Sequence, residues 1–210
     1  MPDRLSGRTL VIATGHDLSL ALLEDGRPLA SHDRAMSRGH AEALVPALQT
    51  LLEPWGGASS GCARIVVETG PGSFTGLRVG LAAARALGLA WGVRVAGVRS
   101  TQLVAAAARA EGEGGRLLVA LLAPRGQIWV EGFEAGGFGS VLPPAAILPQ
   151  AFESLAVDFA AVAGTAGPTP RLAAAPRASA LAGLACGALG EAELLYVRAA
   201  DDGPGDSLPV

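Results

Sequence analysis

The sequence is short of cysteine, of aromatic residues and of charge, and each shortage excludes something. There are two cysteines, Cys62 and Cys186. They share no CxxC spacing and no histidine cluster, so no zinc motif is readable, and a reducing cytosol suits them best. Aromatic residues make up 4% of a chain that is half hydrophobic by count. Aliphatic and small side chains must therefore build the core. Charged residues make up 17%, and the net charge is -3. That balance leaves no electrostatic footprint for nucleic acid, which disfavours a direct grip on an RNA backbone. Long apolar runs are missing too. None reaches the roughly 18 to 20 residues of a membrane span, and Met1-Pro2-Asp3-Arg4 does not open a signal peptide. A cytoplasmic protein is expected.

What is present reads as an α/β pattern. At 210 residues the chain can hold one large domain or two small ones. Thr9 to Ala13, Leu18 to Leu23 and Pro28 to Arg34 predict three strands, the last two joined at Asp25-Gly26, a strong hairpin signal. From Gly39 to Leu52 the apolar residues recur at helical spacing. Ala63 to Val67 predicts a strand, Leu77 to Trp91 a helix, Val93 to Val98 a strand and Thr101 to Ala110 a helix. Glu111-Gly112-Glu113-Gly114-Gly115 is the best boundary. Beyond it Leu117 to Leu122, Gln127 to Phe133 and Phe159 to Ala163 predict strands. Ala178 to Leu189 predicts an alanine-rich helix, and the last ten or so residues a disordered tail. The second half partly echoes the first, so two related lobes are expected, residues 1–111 and 112–210.

The richest segment joins the fourth strand to its helix. Gly70, Gly72 and Gly76 permit a tight turn, and Thr75 is a candidate N-cap. A helix N-terminus with free amides suits an anion, so the Gly70–Gly76 loop is a candidate phosphate site. No Walker lysine follows and the spacing is not GxGxxG, so a plain turn explains it as well. The helix carries just two charges, Arg78 and Arg85, on one stripe. Gly80, Ala84 and Gly88 form a small-residue row along which another helix could approach.

Gly70-Pro71-Gly72-Ser73-Phe74-Thr75-Gly76-Leu77-Arg78-Val79-Gly80 is similar, nearly letter for letter, to the signature of the TsaB (YeaZ) family. Arg38-Gly39-His40, Gly97-Val98 with Ser100, Pro124 to Trp129 and Tyr196-Val197-Arg198 also resemble family elements. The resemblance implies the actin-like ATPase (ribonuclease H-like) fold of two related lobes. It implies a non-catalytic scaffold and activator in bacterial tRNA threonylcarbamoyladenosine biosynthesis. The implied partners are a TsaD-like catalytic subunit, a TsaE-like ATPase and, when alone, a second copy, with tRNA met only indirectly. The older glycoprotease label has no nucleophile–base pair or metal motif behind it here.

Several positions depart from what such a fold needs for nucleotide chemistry. Where the resemblance implies Asp-Thr-Ser after the first strand, this chain has Ala13-Thr14-Gly15. Leu121-Leu122-Ala123 and Gly164-Thr165-Ala166-Gly167 lack the acids implied for the second lobe. Ser100 and Val104 stand where catalytic relatives carry two metal-binding histidines, and valine cannot ligate. No metal or cofactor is therefore expected, and no catalytic residue, although Asp17 and Glu68 are the carboxylates nearest the cleft. The partner face is expected on His40, Leu44, Leu48, Leu77, Arg78, Gly80, Leu81, Ala84, Arg85, Leu87 and Gly88. The alternative is a nucleotide-binding enzyme of the same fold that uses the Gly70–Gly76 loop for phosphate.

Overall fold

Two sheets share one plan. In the first, β1 (Arg8–Ala13), β2 (Leu18–Glu24) and β3 (Arg27–Arg34) form an antiparallel meander. β4 (Cys62–Gly70) and β5 (Arg94–Arg99) add in parallel beyond β1, giving the order β3-β2-β1-β4-β5. The second sheet repeats this with β6 (Leu117–Leu122), β7 (Ile128–Phe133), β8 (Ser140–Ile147) and the parallel β9 (Ala161–Gly164), in the order β8-β7-β6-β9. The computed structural model describes residues 5–57, 61–167, 172, 175–184 and 186–197.

Period-two alternation decides which helix meets which face. Leu10, Ile12, Leu20, Ile65 and Val67 point to one side of the first sheet. There they bury Leu44 and Leu48 of α1 (His40–Leu52) and Leu81 and Ala84 of α2 (Phe74–Trp91). Val11, Ala13, Ala21 and Val66 point to the other side, onto Leu103 and Ala106 of α3 (Ser100–Ala110). The opposite flank of α3 sets Val104, Ala105 and Ala108 against Leu117, Val119, Leu121 and Phe133. α3 therefore lies between the two sheets. α4 (Pro149–Ala156) covers the far face of the second sheet through Phe152.

The strands and helices expected up to Phe133 are present, Leu117–Leu122 with the expected bounds and the others with shifted ends. Asp25 and Gly26 take φ of 49° and 74°, the pair of positive values a tight hairpin turn needs. α2 starts at Phe74, and Ser73 rather than Thr75 caps it, its hydroxyl accepting from the Gly76 amide at 3.3 Å. Beyond Phe133 the sequence hides two elements. β8 is an edge strand and so tolerates Pro143 and Pro144. α4 begins at Pro149, where proline suits a first helical turn.

The alanine-rich stretch forms two short 3₁₀ turns, Ala178–Gly183 and Cys186–Ala188, instead of one helix. Glycines at 183 and 187 weaken a continuous helix, and Ala178, Leu181 and Leu184 bury against the first sheet instead. The chain then returns along β5. Gly97 and Gly190 exchange amide bonds of 2.8 and 2.9 Å, and the Leu195 amide reaches the Thr69 carbonyl at 2.9 Å. Residues 201–210, expected as a disordered tail, lie outside the described residues. Among the described residues no helix is long and apolar enough to cross a membrane.

Candidate functional site

The neighbouring ends of β1 and β4 meet the N-terminus of α3, and Glu68 lies at that junction. It is 1% exposed. Its Oε2 accepts from the Gly15 amide at 2.6 Å, and its Oε1 accepts from the Ser100 hydroxyl at 2.6 Å. His16 Nδ1 stands 3.6 Å from Oε1, too far for a hydrogen bond. Burial pushes the Glu68 carboxyl up. The His16 imidazole, the Ser100 hydroxyl and the Gly15 amide together outweigh that push, so its pKa lies below the ordinary glutamate value.

The sign of that shift sets a pH dependence. A lowered folded pKa adds stability that is complete above the unfolded glutamate value of about 4.3 and is lost as pH falls through the folded value. Glu68→Gln is therefore expected to be less stable than wild type at pH 7. Urea midpoints taken from pH 7 to pH 3 should show that gap closing in acid. A gap that stays constant would mean the charge contributes nothing.

The glycine-rich turn is packed on the chain itself. The Ser73 amide donates to the Gly15 carbonyl at 2.6 Å, and the Thr14 hydroxyl donates to the Gly76 carbonyl at 2.8 Å. A Cβ on Gly72 would sit 2.7 Å from the Gly15 carbonyl oxygen, and one on Gly76 would overlap the Thr14 carbonyl. Gly15 is needed as well, since a Cβ there would lie 2.8 Å from Leu77 and 3.0 Å from the Glu68 carboxyl. The glycines thus serve a backbone-to-backbone contact between the two turns. The amides of Ser73, Gly76 and Leu77 are all bonded within the chain.

Asp17 and Glu68 are engaged separately. Asp17 accepts from the Met36 amide at 3.2 Å, and its other oxygen is 3.6 Å from Arg177. No group of three or more potential ligands for a metal ion occurs among the described residues. Residues 14–17 nevertheless hold the starts of both outer helices. His40, at the start of α1, places its Nε2 3.1 Å from the His16 carbonyl. α2 hangs from Thr14 and Gly15 by the bonds already given.

The expected partner residues fall into two groups. His40, Leu44, Leu48, Leu77, Gly80, Leu81, Ala84 and Gly88 are buried inside the chain. The small-residue row needs correcting on this point. A Cβ on Gly80 would overlap the Thr14 hydroxyl, and one on Gly88 would lie 2.5 Å from Val95, so the row receives the chain's own sheet. Arg78, Arg85 and Leu87 do reach the surface. Arg78 stacks on the Phe74 ring at 3.6 Å, and Arg85 donates to the Ala192 carbonyl at 2.9 Å.

The outward side of α2, apolar in sequence, carries residues outside the expected partner set. Ala82, Ala86 and Leu89 are exposed on it, Leu89 at 87%. Next to them, α1 and α2 enclose an open groove of about 660 Å³. Its walls are mostly apolar, Val45, Leu48 and Leu52 from α1 and Ala83, Ala86, Leu87 and Trp91 from α2, with Gln49 and Glu53 on the α1 side. Exposed Val45 and Ala86 were the readable signal, since neither falls on the inward stripe of its helix.

A meander extended in parallel beyond its first strand, repeated in two lobes around a central helix, defines an actin-like protein of the ribonuclease H-like class. Comparison with known proteins narrows this. The model of the family described as TsaD, tRNA N6-adenosine threonylcarbamoyltransferase, matches residues 32–139, just over half of the chain. The chain belongs to this family, as a member of its TsaB (YeaZ) group. It is 31% identical over 126 residues to the tRNA threonylcarbamoyladenosine biosynthesis protein TsaB of Escherichia coli, covering 59% of this chain and 54% of that protein. It is 30% identical over 96 residues to the protein of the same name in Bacillus subtilis, covering 46% and 42%. The chain thus spans about half the length of the curated relatives it matches. The solved structure of YeaZ from Pseudomonas aeruginosa superposes with a TM-score of 0.74 at 28% identity, over 91% of this chain and all of that one.

Proposed function

We propose that the chain is a non-catalytic scaffold and activator of bacterial tRNA N6-threonylcarbamoyladenosine formation, and that it pairs with a TsaD-like catalytic subunit through α1 and α2. The observation that carries this reading is the open apolar groove between those helices, with Ala82, Ala86 and Leu89 exposed beside it. Apolar surface facing water on two neighbouring helices supports an interaction site there. Arg78 and Arg85 reach the surface of α2 outside the groove lining, and on this reading they supply polar contacts at the edge of the paired face, while the buried residues of the two helices shape the groove from beneath. On the same reading a TsaE-like ATPase joins the pair, tRNA is met through the pair, and a second copy covers the groove when the partner is absent. The names of the relatives supply the pathway.

The nucleotide-binding alternative fares worse on chemistry. A phosphate on the Gly70–Gly76 loop would meet Ser73 and Gly76 amides that already donate to the chain's own oxygens, and no carboxylate follows β1 at Ala13-Thr14-Gly15 to hold a metal. Titration calorimetry of the isolated chain with ATP and magnesium is expected to give no binding heat at micromolar concentrations. Micromolar binding would favour the alternative.

A further inference from the structure

Two buried carboxylates, one from each sheet, converge on the first turn of α3. Glu68 comes from β4 and accepts the Ser100 hydroxyl at 2.6 Å. Glu131 comes from β7 and is 0% exposed. The Arg99 guanidinium grips Glu131 with both arms, Nη2 to Oε1 at 2.7 Å and Nε to Oε2 at 3.0 Å. The Thr101 hydroxyl donates to the same carboxylate. Gln102 completes the turn, accepting from the Arg99 amide at 2.9 Å and donating to the Ala188 carbonyl at 3.0 Å.

We propose that Arg99, Ser100 and Thr101 form a clamp that holds the two sheets at one angle, by binding Glu68 of the first and Glu131 of the second.

Another directed contact between α3 and the second sheet lies at the far end of the helix, where the Arg109 guanidinium donates to the Glu134 and Gly137 carbonyls just beyond β7 at 2.5 and 3.4 Å, binding backbone rather than a buried charge. α3 meets the second sheet through Val104, Ala105 and Ala108, and small apolar side chains allow sliding. A fork of charged hydrogen bonds does not, because it is satisfied in one geometry. Turning one sheet against the other while they stay packed would take Arg99 and Thr101 away from Glu131 and leave a buried charge unpaired, a costly state. The N-terminal end of α3 adds its own favourable field to both carboxylates. A lone acid in the apolar strand Ile128–Phe133 was the readable sign of such a role. The clamp does not rest on the docking reading, since it concerns the isolated chain.

The test is the distance between spin labels on Ser31→Cys and Glu153→Cys, exposed sites on β3 and α4, in the full chain with Cys186→Ala. Dilution with unlabelled chain removes distances between copies. The clamp predicts a single narrow distance. Glu131→Gln, which keeps the size and removes the charge, should widen it by about twofold or more as the sheets sample other angles. Thr101→Val, which removes one donor and keeps the ion pair, should widen it less. A folded Glu131→Gln protein with the unsubstituted distribution would overturn the clamp. Should Glu131→Gln fail to fold, Thr101→Val decides alone: widening supports the clamp and an unchanged distribution overturns it.

Discussion

Ala86→Glu is expected to weaken pairing with a TsaD-like partner by about 100-fold or more, while the isolated chain keeps its stability. Ala86 is exposed on α2 and lines the apolar groove. A glutamate there stays hydrated in the free chain, so folding has no reason to change. In a closed interface the same carboxylate would be stripped of water without a partner. Burying an unpaired charge costs at least several kcal/mol, and about 2.7 kcal/mol already corresponds to 100-fold. Val45→Glu on the facing helix should act in the same direction. Sedimentation of the mixed proteins reads the pairing, and thermal unfolding of the isolated chain reads the control. Undiminished pairing would mean that another surface meets the partner.

Gly76→Ala is expected to destabilise the chain by about 3 kcal/mol or more. In an open helix the change would help, because alanine exceeds glycine by about 1 kcal/mol in helix propensity. Here the new Cβ would overlap the Thr14 carbonyl, a backbone atom between two packed turns. Relief requires α2 to lift from β1, which would also break the Thr14 hydroxyl bond to the Gly76 carbonyl. Overpacking therefore wins over propensity. Urea unfolding at neutral pH measures it, and a stability equal to or above wild type would contradict the close-packed turn. Gly80→Glu falls in the same class, since Gly80 faces Thr14. It should unfold the chain and so cannot report on an interface.

Local chemistry made much of the fold legible. The Asp25-Gly26 turn and the apolar runs beside it announce the first hairpin, and Leu117–Leu122 forms a strand over the bounds its composition suggests. β8 was illegible because two prolines read as loop until a sheet edge accommodates them. The orientation of α2 was illegible for a different reason. A row of small residues at spacing four suits a foreign helix and the chain's own sheet equally, and only the tertiary contact chooses between them. Ala13-Thr14-Gly15 showed in the sequence that an acid was lacking. It did not show that Gly15 admits the Ser73 amide and the Glu68 carboxylate to its backbone.

The scaffold role requires that the chain pair with a catalytic relative. The direct measurement is sedimentation velocity of the purified chain mixed with the TsaD-like protein of its own organism, beside Ala86→Glu. A one-to-one complex is expected with the unsubstituted chain and separate species with the variant. Two independent boundaries for the unsubstituted chain would contradict it.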